Sequence, residues 1–375
     1  MPNTKARPPF RYDIVGSFLR PKELKAKREA FAKGEISAED LRAAEDTHIR
    51  QLVQNQKDCG LHAVTDGELR RRFWHLDFLA ALDGLQEVQV EKFPVAFKGV
   101  QPKASTLQLV DKVGFPKNHP FLRDFAFLQS LAGDRLAKFT IPSPSMVHLI
   151  CCIRDTAYKP LAIYKDTDAL LQDIAQTYRD AIHAFYDAGC RYLQFDDTSW
   201  GEFCDVSKRK VHEAQGVDLD AVARDYVQMI NQALQDKPAD MTVTMHICRG
   251  NFRSTWFSSG GYEPVAETLF GHCKVDGFFL EYDSDRAGGF EPLRFMDKQE
   301  VVLGLVTSKS PQLEKKEDVI ARIHEAEKYV PLHRLAISPQ CGFSSTEEGN
   351  LLTEAEQWAK IRLLREIAQS VWQDA

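Results

Sequence analysis

Residues 191–197 read RYLQFDD and residues 241–248 read MTVTMHIC, with residues 219–234 between them. Both flanks are short apolar runs that end in polar groups. The stretch between them carries apolar residues at helical spacing. Strand, helix and strand in that order form the unit from which parallel sheets are built. Six more runs have the same form: 11–18 (RYDIVGSF), 61–67 (LHAVTDG), 138–144 (KFTIPSP), 276–282 (DGFFLEY), 301–307 (VVLGLVT) and 335–341 (LAISPQC). Residues 38–59, 166–188, 316–329 and 353–373 read as helices. Eight strands alternating with helices predict an α/β fold, a single (β/α)8 TIM barrel over residues 1–375. A doubly wound open sheet is the alternative, but no glycine-rich nucleotide fingerprint follows the first strand. The chain exceeds the roughly 250 residues of a usual barrel. The excess is assigned to an N-terminal helical extension, 21–33, and an insertion, 73–137, between strands two and three. Within that insertion residues 106–113 read as one arm of a hairpin.

Lys plus Arg is 48 and Asp plus Glu is 54, a formal net charge of -6. No basic excess exists to drive nonspecific binding of nucleic acid. The longest apolar run, 146–153, is too short to span a bilayer and contains His148. The opening MPNTKARPPF has no apolar signal core. These features predict a cytoplasmic protein with neither nucleic-acid nor membrane partners. Eight cysteines in 375 residues do not make a disulfide framework, so each is a buried hydrophobe, a reactive thiol or a metal ligand.

In a barrel the active site is built where strands end. The proposed strands end in Gly16–Ser17, Asp66–Gly67–Glu68, Ser143–Ser145, Asp196–Asp197, His246–Cys248, Glu281, Thr307–Lys309 and Cys341. Residues two apart on a strand face the same way, so His246 and Cys248 can grip one cation. Glu281 sits in FFLEYDS, a strange place for a carboxylate without a partner. With Cys341 the set offers one imidazole, one carboxylate and two thiolates, which suits Zn²⁺. Spacing alone leaves core packing open as the other reading of each residue. The other six cysteines, Cys59, Cys151, Cys152, Cys190, Cys204 and Cys273, read as structural.

These residues carry a resemblance. IVGSFLRP, TDGELRR, LQFDD, HICRGNF, FFLEYDS and SPQCGF occur in order over most of the chain. The chain resembles the catalytic C-terminal domain of cobalamin-independent methionine synthase, and its short single-domain members most of all. The resemblance implies a (β/α)8 barrel with a catalytic Zn²⁺ held by His246, Cys248, Glu281 and Cys341. It implies that Glu68 and Asp196 bind homocysteine, with Gly16 and Ser17 in contact near the amino acid. It implies methyl transfer to homocysteine, giving methionine, with 5-methyltetrahydrofolate or its polyglutamate as donor. Two departures bear on the donor. The family's N-terminal half has no counterpart here, and that half helps shape the folate site. Lys309 stands in Thr307-Ser308-Lys309-Ser310-Pro311, where the family carries a proton-delivering histidine. Lys309 is therefore the candidate proton donor.

Other readings stay open at this point. One is a methyl- or alkyltransferase with a corrinoid donor, or with another thiol such as coenzyme M; Glu68 and Asp196 argue against a sulfonate thiol. Another is a metal-binding partner protein without turnover of its own. An accessory or corrinoid protein is a further expected partner. The sequence leaves the oligomeric state undetermined. Phe73, Trp74, His75, Trp200 and Trp256 follow strand ends, where aromatics can line a mouth or pack a loop.

Overall fold

A computed structural model describes residues 7–90 and 105–375. Its strands are β1 (Ala63–Val64), β2 (Asp83–Gln89), β3 (Ser105–Gly114), β4 (Leu136–Pro142), β5 (Tyr192–Asp197), β6 (Thr242–Ile247), β7 (Gly277–Glu281), β8 (Glu300–Val306) and β9 (Leu335–Pro339). Seven of them form one parallel sheet in the order β1-β4-β5-β6-β7-β8-β9. Strands β5, β7 and β9 are buried along their whole length, which is why they read as near-continuous apolar runs. Helices Thr167–Asp187 and Leu219–Ala233 lie between consecutive strands, with Asp166 and Asp218 capping their first turns.

The sheet has seven strands where the sequence predicts eight. Residues 11–18 are extended but join the sheet through a single parallel bridge, Tyr12 to Ile337 of β9. The cause is Asp13. Its carboxylate accepts the backbone N–H of Phe10 (3.2 Å) and of Ile14 (2.7 Å), so the side chain takes donors that a ladder would use. On its other side the segment meets the end of β1. Phe18 N–H donates to Gly67 O at 3.1 Å, and Thr65 Oγ1 donates to Gly16 O at 2.6 Å.

A helix covers Lys22–Ala32, within the stretch expected as an extension. Between β1 and β4 the chain forms the antiparallel pair β2–β3, and β3 contains the expected arm 106–113. Residues 91–104 of that expected insertion lie outside the described residues. No helix among the described residues is long and apolar enough to cross a membrane. Because the seven strands are parallel, their carboxyl ends share one rim. Asp196 and His246 are paired in register there, and Glu281 ends β7 two strands on from Asp196.

Candidate metal centre

His246, Cys248, Glu281 and Cys341 are all buried, and their ligand atoms lie within 4.8 Å of one another. His246 is on β6 and Cys248 just beyond it; Cys341 follows β9. The two sulfurs are 3.7 Å apart. Neither ring nitrogen of His246 has a hydrogen-bond partner of good geometry. The Glu281 carboxylate does have partners: Arg249 N–H donates to Oε1 and Arg286 Nη2 to Oε2, each at 2.9 Å.

The electrostatics of the four groups are strongly linked. The hydrogen bond between the sulfurs drives Cys341 well below the usual thiol range and Cys248 well above it. Burial opposes the first shift and adds to the second. Burial also disfavours a charged His246, yet Cys341, Asp196 and Glu281 together raise its pKa. Glu281 is raised by burial, against the pull of Lys309 and Arg286. One nitrogen, two sulfurs and one carboxylate oxygen, enclosed and including an orphaned imidazole, form a donor set that fits Zn²⁺.

A cavity opens on this cluster. Ser17, Glu68 and Asp196 line it together with His246, Cys248 and Cys341. Glu68 follows a tight turn after β1 and has φ of 58°, a left-handed backbone held by Asp66 Oδ1 on its N–H and Arg20 Nη2 on its carbonyl. Its Oε1 accepts Thr140 Oγ1 at 2.9 Å, and Arg71 lies 3.6 Å from Oε2. Burial raises the Glu68 pKa against Arg71. Asp196 accepts Gln194 Nε2 at 2.8 Å, and burial, with Glu68 adding to it, pushes the Asp196 carboxyl up to about 7 against His246.

Gly16 does not line the cavity; it backs Thr140 and Glu68. Ser17 Oγ accepts Ser344 N–H at 3.2 Å and so braces the loop that carries Cys341. Asp197 closes β5 and holds the turn that follows: its oxygens accept Ser199 N–H (2.7 Å) and the hydroxyls of Ser145 and Ser199. Lys309 does not line the cavity; its Nζ donates at 3.2 Å to Oδ1 of Asn251, which does, and its charge acts on Cys248, Glu281 and Cys341. Phe73, Trp74 and His75 line the cavity, whereas Trp200 is fully buried and Trp256 lies on the surface.

Two residues escaped the sequence reading. Arg154 lines the cavity from the end of a π-helix, Leu149–Ile153, and its Nη2 is 2.5 Å from Glu202 Oε2. Arg286 reaches Glu281 from a single 3-10 turn, Asp285–Ala287, after β7. Only the fold names their partners, and neither sits at a strand end, so no spacing flags them.

The family model described as the cobalamin-independent synthase catalytic domain matches residues 156–369. The protein YxjH of Bacillus subtilis, itself uncharacterised, is 49% identical over 97% of this chain and 95% of its own length. A methionine synthase of Saccharolobus solfataricus is 26% identical over 88% of this chain and 86% of its own. A candidate vitamin-B12 independent methionine synthase from Listeria monocytogenes has a solved structure. It superposes with a TM-score of 0.77 at 42% identity, covering 97% of this chain and 98% of that one. A B12-independent methionine synthase from Shewanella, solved with selenomethionine, shares the fold at a TM-score of 0.72 and 20% identity over 96% of this chain and 97% of that one. With more than half its length matched by the family model and a near-full-length relative at 49% identity, the chain belongs to the cobalamin-independent methionine synthase family.

Proposed function

We propose that the protein transfers a methyl group to the sulfur of homocysteine, forming methionine, with 5-methyltetrahydrofolate as donor. The observation that carries this reading is one cavity lined both by metal-ligand side chains and by two buried acids, Glu68 and Asp196. Zn²⁺ held by His246, Cys248, Glu281 and Cys341 would supply a centre that deprotonates a thiol at neutral pH. Glu68 and Asp196 accept charge-assisted hydrogen bonds from the α-ammonium group of the amino acid. Ser17 fixes the Cys341 loop and offers its hydroxyl to the same cavity. In the transfer an S–CH3 bond forms and the donor's N–CH3 bond breaks, with the electron pair left on nitrogen. That nitrogen needs a proton, and Lys309 is the proposed source. In this reading residues 11–18 complete the barrel as its eighth stave, residues 73–137 are an insertion, and the whole is one catalytic domain. The chemistry belongs in the cytoplasm, where thiols stay reduced.

A corrinoid donor, alone or on an accessory protein, is the second reading. That Lys309 does not line the cavity favours it, since a corrinoid leaving group needs no proton. Metal analysis and turnover test both readings. One zinc per chain is expected, with methionine formed from homocysteine and methyltetrahydrofolate. Methylcobalamin as the only productive donor selects the second reading. Activity with S-adenosylmethionine alone, or full zinc retention after replacement of both Cys248 and Cys341, overturns both.

A further inference from the structure

Glu281 is the one carboxylate in the cluster, and it is fully enclosed. It is also the one member held by a guanidinium among the described residues. Arg286 Nη2 lies 2.9 Å from its Oε2. Arg286 is itself fixed: the same nitrogen is 2.9 Å from Asp283 Oδ1, and the guanidinium lies 4.8 Å from the ring centre of Trp256. A carboxylate that leaves a metal inside a protein normally becomes an unpaired buried charge, which is strongly unfavourable. Here it would stay paired.

We propose that Arg286 is a positioning residue for the centre: its guanidinium loosens the hold of Glu281 on the metal. The guanidinium competes with the metal for the carboxylate and keeps it paired when a substrate sulfur takes its place. One anionic ligand replaces another, the thiol proton passes to solvent, and the charge of the centre is unchanged. This rests on the reading of the cluster as a zinc site with a thiol acceptor. It adds a positioning residue that acts through Glu281.

The test is zinc release to a chromophoric chelator from Arg286→Met protein, with no thiol present. Loss of a residue supporting a metal ligand commonly weakens metal binding by roughly 10- to 100-fold. The opposite sign is expected here: release slows by about tenfold, because the competing guanidinium is gone and only the Arg249 N–H remains on the carboxylate. Arg286→Lys keeps the charge but loses the planar guanidinium and should lie between; it carries the test if Arg286→Met does not fold. Lys309→Met removes another cation that faces Glu281 without bonding to it, and should slow release less. X-ray absorption at saturating homocysteine should show one oxygen exchanged for sulfur in the wild type and the oxygen retained in Arg286→Met. Unchanged or faster release from both Arg286 variants overturns the proposal, as does equal slowing by Lys309→Met. A wild-type protein that binds no homocysteine refutes the acceptor, while the release measurement still decides the hold of Arg286 on Glu281.

Discussion

Gly16 carries no side chain, and the space beside it is taken. A Cβ there would lie 2.7 Å from Thr140 Cγ2 and 3.1 Å from Glu68 Oε1. Thr140 is also the residue whose hydroxyl holds Glu68, so a methyl group at position 16 strikes both the carboxylate and its support. Gly16→Ala is expected to weaken homocysteine binding by about tenfold, equivalent to 1.4 kcal/mol, with zinc content unchanged. Calorimetric titration with homocysteine and metal analysis check it; wild-type affinity in the variant would sink the account. The grouping of His246, Cys248, Glu281 and Cys341 was legible because strand alternation and strand ends place such residues on one rim. Gly16 was legible as a strand end, but its place near the amino acid only through the resemblance, since its importance lies in contact with a strand more than a hundred residues away. Arg286 had no signal at all, because an arginine beyond a strand end reads as surface until its partner is known.

At the scale of elements, Glu202 ties three helical segments together beside the cavity. It lies on the short helix Ser199–Phe203 and accepts Arg154, from the end of the π-helix, and His212, from helix Val206–Ala214, at 2.8 Å. Burial works to raise its pKa, but Arg154 and His212 prevail and hold it down to about 2 from an ordinary 4.5. A depressed folded-state pKa contributes stability above the unfolded value that is lost as the pH falls toward the folded one. Between about pH 6 and pH 3 this one group should account for a loss of about 2 kcal/mol. Glu202→Gln should therefore be less stable than wild type near neutrality, and the gap should narrow as the pH falls. Urea midpoints across that range measure it; a constant gap would refute the assignment. The long helices were legible from their apolar spacing. The π-helix was not, because five residues inside an apolar run carry no period that separates it from an α-helical turn.

For the molecule as a whole, the question is how residues 11–18 join a sheet they scarcely pair with. Side chains do it. Lys138, on β4, is completely enclosed; its Nζ lies 3.3 Å from Asp13 Oδ1 and donates to Ile14 O. Tyr192 OH donates to Asp13 Oδ2 at 2.8 Å, and Gln194 Nε2 donates to Val15 O at 2.7 Å. The Lys138 ammonium also lies 4.0 Å from the ring centre of Phe279. The first segment is thus pinned to the inner face of β4 and β5 by a buried ion pair and three side-chain hydrogen bonds, and it delivers Ser17 to the cavity with Gly16 just behind it. RYDIVGSF looked like a strand because its apolar residues fit one; Asp13 was the contrary signal. Lys138 looked like a strand opening, since spacing does not tell which face of a sheet a first residue takes. Breaking a buried pair from one side leaves the other charge unpaired, so Lys138→Met should cost about 3–5 kcal/mol. Adding Asp13→Asn removes that stranded charge. The double variant should then be less destabilised than the sum of the two singles by at least about 1 kcal/mol. Denaturant unfolding of the four proteins closes the cycle, and strict additivity would show that the pair does not hold the first segment in place.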